Sequence, residues 1–272
     1  MAKIAMKLWE TTPGVGDSGT PIYYYPPHGE AVSDCAIIAI PGGAYRGLSQ
    51  HEGYGYGEYF SYKGFHTFSI DYHTIPHKFP TQLLEARRAV RWVRAHAAEY
   101  GIDPNKIAVI GSSAGGHLTA LLSTYTSSVE GEGLDEIDNE DYMPNAQILC
   151  YPVICNPENE ELCHAESYRN LVGGRDEALE RALDPSLHVV ETTPPAFLFS
   201  TSEDASVSVI NSFTYAAELR RHRVPFEMHV LPHGQHGMGV WLEDPHNSIW
   251  SHLMIRWLRQ LGWLKEENNG EN

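Results

Sequence analysis

Residues 111–115 read Gly-Ser-Ser-Ala-Gly, a G-x-S-x-G pentapeptide centred on Ser113. A serine on a sharp strand-to-helix turn projects its hydroxyl above a sheet. The positions two before and two after it must then be small, or their side chains collide with the turn. Gly111 and Gly115 meet that demand for Ser113, whereas Ser112 has no glycine two positions ahead of it. The pentapeptide follows a buried-strand pattern at 106–110 (KIAVI) and leads into a helical stretch to about residue 126. The chemistry on offer is nucleophilic attack by an activated serine. The positive end of a helix starting at Ala114 would face the negative charge that develops.

Serine needs a base, and the base needs an orienting carboxylate. Of the 15 histidines, position selects His236, set in Gly-Gln-His-Gly after a late strand, with His233 as the alternative. Glu203 and Asp204 follow an apolar run at 196–201, which satisfies the chain order serine, acid, histidine found with this kind of turn. Asp204 has the shorter side chain and is preferred; Glu203 is the alternative. Acyl transfer also needs N–H donors aimed at an oxyanion. Pro41-Gly42-Gly43-Ala44-Tyr45, at the end of another apolar run, lets a backbone approach a substrate closely.

These residues need a frame, and the chain supplies an alternating one. Strand patterns fall at 22–25 (an edge strand), 36–40, 65–71, 106–110, 146–151, 196–201 and 226–231, and helical ones at 81–100, 207–222 and 247–262. Pro80 and Gly101 bracket the 81–100 helix, whose Leu83, Leu84, Ala86, Val90 and Val93 form one apolar stripe. The alternation predicts an α/β fold with a mostly parallel sheet of about eight strands flanked by helices. Over 272 residues there is no repeat or linker, so a single domain over 1–272 is expected, with excursions at 127–143 and 155–193. The tail KEENNGEN reads as frayed.

The 35 acidic against 19 basic residues exclude nucleic acid and anionic membranes as natural partners and favour a neutral substrate. Cys35, Cys150, Cys155 and Cys163 lack the spacing of a zinc site or a disulfide scaffold, so free thiols and no metal are expected. With no apolar stretch of signal or spanning length, a soluble cytoplasmic protein is the default.

Over about residues 36–240 the chain resembles the acetyl-xylan-esterase-like and lipase-like esterases of the α/β-hydrolase superfamily. The likeness is carried by IPGGAY (40–45), IDYHTIPHKFP (70–80), AVRWVRAHAAEYGIDPNKIAVIGSSAGGHLTA (89–120), YPVI (151–154), TTPPAFLFSTSEDASVSVINSFTYAAEL (192–219) and LPHGQHGMGVW (231–241). It implies Ser113 as nucleophile, Asp204 as acid and His236 as base, with Gly43, Ala44 and Ala114 N–H groups as oxyanion donors and no cofactor. Ala44 stands where related chains often have a third glycine, a change that spares the donors provided the position does not need positive φ. The resemblance further implies short acyl esters as substrates, notably acetyl groups on xylan-derived or other plant-carbohydrate oligosaccharides. A general carboxylesterase, an amidase or peptidase on the same residues, and a non-catalytic ligand-binding relative are the alternatives. A homo-oligomer is compatible with the sequence.

Tyr45, Tyr72 and His73 lie near strand ends, where loops line the pocket of an open α/β sheet. Tyr45 suits either a ring against a sugar or a core plug. Trp241 follows the histidine loop and either walls the pocket or belongs to the core. Tyr54, Tyr56 and Tyr59 among glycines read as a helix packing face before an aromatic platform. The acidic 127–143 segment reads as a solvated loop before a lid.

Overall fold

The computed structural model describes residues 3–16, 19–155 and 162–265. Two short strands, β1 (Ile4–Lys7) and β2 (Pro21–Tyr25), lead into β3 (Ala36–Ile40), α1 (Gln50–Tyr62) and β4 (His66–Ile70). Next come α2 (Thr81–Ala95), α3 (Ala97–Tyr100), β5 (Ile107–Ser112), α4 (Ala114–Thr124) and β6 (Ala146–Cys150). The rest is α5 (Ala165–Val172), α6 (Glu177–Ala182), β7 (Ala196–Thr201), α7 (Ile210–Arg221), β8 (Phe226–Leu231) and α8 (Ile249–Gln260). The strands form one eight-stranded sheet in the order β1-β2-β4-β3-β5-β6-β7-β8. Of these, β2 alone runs against its neighbours, and β4 through β8 pair in parallel. This is the mostly parallel α/β sheet that the alternating pattern predicts and the α/β-hydrolase architecture that the resemblance implies.

The central strands are apolar at every position because both faces are covered. Along β3, Ile38 and Ile40 pack with Leu83 and Val90 of α2 and Leu118 of α4. Ile37 and Ala39 point the other way, toward Tyr56 and Phe60 of α1 and Trp250 and Met254 of α8. That alternation is the period-two side-chain geometry of a strand.

The topology brings the chemistry together. The chain passes from β3 outward to β4, then returns across β3 to β5, so the winding direction reverses between β3 and β5. Open α/β sheets bind ligands at the carboxyl ends of strands at such a reversal. There Ile40 is paired with Gly111, which sets the Pro41–Tyr45 segment beside the Ser113 turn.

Several elements differ from the sequence pattern. The edge belongs to β1, which covers β2; its four residues, three of them exposed, are too short a run to reveal it. The helix expected over 81–100 turns at His96 into α2 and α3, and Gly101 ends it in the left-handed conformation. Segment 127–143 is not a free loop. Arg87, Arg88 and Arg91, all buried on α2, reach out to Glu132, Asp135 and Asp138 and pin it down. In segment 155–193, α5 and α6 are ordered helices. The tail expectation falls, after Lys265, outside the described residues.

Candidate active site

Ser113 joins β5 to α4 with φ 54° and ψ −120°, a strained conformation for a residue with a side chain. Its backbone is held from both sides. The Ser113 N–H donates to the Cys150 carbonyl at 3.0 Å, and its own carbonyl accepts the His117 and Val153 N–H groups at 3.0 and 3.1 Å. The flanking glycines are required. A methyl on Gly111 would lie 2.1 Å from the Gly115 oxygen, and one on Gly115 would lie 2.1 Å from the Ile40 oxygen. The Ser112 hydroxyl is buried against the Tyr56 hydroxyl at 2.7 Å and has no path to a ligand.

Three residues far apart in sequence meet here. His236 Nδ1 lies 2.6 Å from Asp204 Oδ2, and Nε2 lies 2.8 Å from Ser113 Oγ. With Nδ1–H donating to the carboxylate, Nε2 is left to accept the serine proton. Asp204 Oδ1 accepts the Ser206 and Val207 N–H groups, both at 2.9 Å. Burial pushes the Asp204 carboxyl up, but His236 and those two amides outweigh it, so it stays below the usual carboxylate range. The alternatives pair with each other instead: Glu203 accepts from His233 at 2.9 Å on the open surface, with side chains 52% and 78% exposed.

Gly43 has φ +123°, and its carbonyl accepts the Arg46 and Gly47 N–H groups. Ala44 follows at φ 54°, so this position does take the left-handed conformation and holds it without glycine. Among the described residues no acceptor takes the Gly43, Ala44 or Ala114 N–H. Gly43, Ala44, Ser113 and His236 border one pocket of about 210 Å³, with Arg46, His164 and Glu166 at its rim. Arg46 and Glu166 form a salt bridge of 2.8 Å, and Asn170 on α5 donates to the Ala44 carbonyl at 2.8 Å. The 155–193 segment therefore helps build the pocket, whereas residues 127–143 do not border it.

The aromatic expectations need correction. Tyr45 has no exposed surface: the positive φ at Ala44 and Tyr45 turns its ring inward, where its hydroxyl donates to His117 Nδ1 at 2.7 Å. Tyr72 is buried too and donates to the Pro41 carbonyl at 2.9 Å, so it braces the segment from behind. His73 lies off the pocket, 2.5 Å from Glu85 and against His77. Trp241 borders a neighbouring groove of about 480 Å³ with Tyr59 and Tyr62. His51 lines that groove, and its Nε2–H donates at 2.7 Å to the carbonyl of Gly237, which borders the Ser113 pocket. Tyr56 is core, and Tyr59 bonds Ser251 on α8, as a packing face would.

Three polar groups at this site carry no pattern in the sequence. Glu52 and Tyr151 are buried beside it, 99 residues apart and joined by a bond of 2.7 Å. His164 faces the pocket, and burial together with nearby His236 holds its imidazole below the usual range. Among the described residues, no group of three or more His, Cys, Asp or Glu gathers to hold a metal ion. Cys35, Cys150, Cys155 and Cys163 are free. No described helix is long and apolar enough to cross a membrane.

Residues 22–219 match the BD-FAE family. The chain is 34% identical over 232 residues to an endo-1,4-beta-xylanase B of Butyrivibrio fibrisolvens, covering 82% of this chain and 35% of that one. It is 31% identical over 249 residues to an acetylxylan esterase of Xylanibacter ruminicola, covering 87% and 46%. It thus spans about a third to a half of the length of these relatives. Among solved structures, an acetyl ester-xyloside bifunctional hydrolase from Caldicellulosiruptor lactoaceticus superimposes with a TM-score of 0.87 at 34% identity, covering 96% of this chain and 97% of that one. A thermophilic esterase from Thermogutta terrifontis gives 0.79 at 25% identity, covering 99% and 95%. The chain belongs to the BD-FAE family and has the α/β-hydrolase fold.

Proposed function

We propose that the chain is a serine esterase that removes acetyl and other short acyl groups from xylan-derived or related plant-carbohydrate oligosaccharides. The observation that carries the mechanism is the unbroken contact chain from Ser113 through His236 to Asp204, at a pocket bordered by unpaired amides. His236 takes the Ser113 proton as Oγ attacks the ester carbonyl. The N–H groups of Gly43, Ala44 and Ala114 receive the oxyanion, with the N-terminus of α4 adding its positive end. His236 then protonates the departing alcohol and, in the second half, deprotonates the water that splits the acyl-enzyme. Asp204 holds the imidazole tautomer and stabilises its charged form.

The pocket sizes favour a small acyl group on a larger alcohol. About 210 Å³ at Ser113 is less than the ~300–1,000 Å³ that encloses a drug-sized ligand. The alcohol must therefore extend outward. The larger groove, which His51 also lines, offers Tyr59, Tyr62 and Trp241 as flat apolar surfaces and Glu58 and Glu243 as acceptors, a combination suited to a neutral sugar chain. The carbohydrate acetyl esters named for two of the relatives fit that reading.

The test is acetate release from acetylated xylo-oligosaccharides, with Ser113→Ala as the blank. Release by the wild type that vanishes in the variant is expected. No release by the folded wild type would remove the sugar assignment, and release that persists in the variant would remove Ser113 as nucleophile.

A further inference from the structure

Glu52 has a carboxyl group that the acyl-transfer steps do not use. It lies in the first turn of α1, 1% exposed, where three chain segments converge. Oε2 accepts the Gly42 N–H at 2.9 Å, and Oε1 accepts the Tyr151 hydroxyl at 2.7 Å. The Tyr151 oxygen in turn accepts the Gly239 N–H at 2.9 Å, and its ring packs on the His236 ring with centroids 5.1 Å apart. One side chain thus ties the segment carrying Gly43 and Ala44 to the loop carrying His236. The fit is close: a methyl on Gly42 would lie 2.7 Å from Glu52 Oε2 and 3.0 Å from Ser113 Cβ.

Both partners donate to Glu52, which favours the carboxylate form, but burial outweighs them and holds the Glu52 carboxyl above its ordinary range. A buried negative charge opposes an oxyanion nearby and favours a nearby imidazolium. Its retention here is accounted for by what it holds in place.

We propose that Glu52 is a positioning residue for the reaction. It holds the oxyanion segment through Gly42 and the histidine loop through Tyr151 and Gly239. This rests on the reading of Ser113 and His236 as nucleophile and base.

The groups facing Glu52 are His51 on its own helix, 3.8 Å away, with His236, Tyr56, Tyr72, Tyr151 and Cys150 from other elements. Burial raises the three tyrosines and the thiol, so at neutral pH they stay uncharged. The experiment compares pH profiles of kcat and KM on 4-nitrophenyl acetate for wild type, Glu52→Gln, Glu52→Asp, Tyr151→Phe and Ser113→Ala. In Glu52→Gln, kcat is expected to fall by up to about a hundredfold with little change in KM. Glu52→Asp and Tyr151→Phe, which disturb the same links, should lower kcat as well. A folded Glu52→Gln enzyme with wild-type kcat, alongside an inactive Ser113→Ala, would overturn the proposal alone. If Glu52→Gln does not fold, a wild-type kcat in Tyr151→Phe would overturn it. Activity surviving in Ser113→Ala would overturn this proposal and the nucleophile together.

Discussion

Replacing Gly115 by alanine adds one methyl group at the point where the nucleophile turn meets the oxyanion segment. The new Cβ would stand 2.1 Å from the Ile40 oxygen, 2.6 Å from the Pro41 oxygen and 2.7 Å from the Pro41 carbonyl carbon. All three are backbone atoms at the carboxyl end of β3, a fully buried strand paired on both sides. No rotamer relieves the collision, so β3 and the turn must separate by roughly an ångström. Overpacking a rigid site costs ~1–3 kcal/mol and occasionally more, and backbone contacts this short belong at the top of that range. About 3 kcal/mol corresponds to a Tm lower by roughly 6–12 °C in a chain of this size. Moving the Gly43 and Ala44 amides relative to Ser113 should also lower kcat by about a hundredfold. Gly55→Ala is the matched control for sign. Its Cβ meets only His51 Cβ, at 3.8 Å, inside α1. There the better helix propensity of alanine should add about 0.8–1.0 kcal/mol, or roughly 2–4 °C. Thermal melts and initial rates on 4-nitrophenyl acetate read both effects. A Gly115→Ala protein with wild-type Tm and kcat would refute the reasoning.

Asp204→Asn should lower kcat by about 10⁴-fold, because an amide allows the wrong histidine tautomer. Glu203→Gln should keep its rate within about twofold, since its partner His233 lies on the open surface; steady-state kinetics on one ester decides both. His117 is buried, accepts from Tyr45 and lies 2.9 Å from the Leu183 carbonyl, and burial pulls its pKa down to about 4. The folded pKa lies below the unfolded value of about 6.5, so stability is fully present above that value and is lost as pH falls toward 4. The loss should reach the order of 2–3 kcal/mol. Urea melts from pH 7 to pH 4 should show a shallower decline in His117→Gln, and an equally steep decline would count against the assignment. Trp241→Ala should lower kcat/KM on acetylated xylo-oligosaccharides relative to that on 4-nitrophenyl acetate by about tenfold, worth ~1.4 kcal/mol of lost stacking. An unchanged ratio would place the sugar chain elsewhere.

The legible parts of the sequence were those whose physics is local. AIIAI, KIAVI and AFLFST are short apolar runs bounded by turns, and each is a buried strand within a residue or two of its expected ends. The Ser113 turn needs small neighbours at fixed spacing, so it shows in five letters. What stayed hidden depends on three-dimensional approach. Tyr45 reads equally as platform or plug until the positive φ of Ala44 and Tyr45 points it at His117, 72 residues on. Glu52 looks like an ordinary first-turn acid; it matters because the β3–β5 reversal brings Gly42 to one of its oxygens and Tyr151 to the other. The acidic 127–143 segment reads as a solvated loop, and the arginines of α2 clamp it only when the chain folds back over that helix.

Acyl transfer here depends on Ser113, and the most direct test is chemical. The protein would be treated with an active-serine phosphonate, digested, and mapped by mass spectrometry while ester hydrolysis is followed in parallel. The expected result is one adduct, on the peptide containing Ser113, rising in step with loss of activity and absent from Ser113→Ala. Inactivation with the adduct on another residue, or full activity in a protein whose Ser113 is modified, would contradict the account.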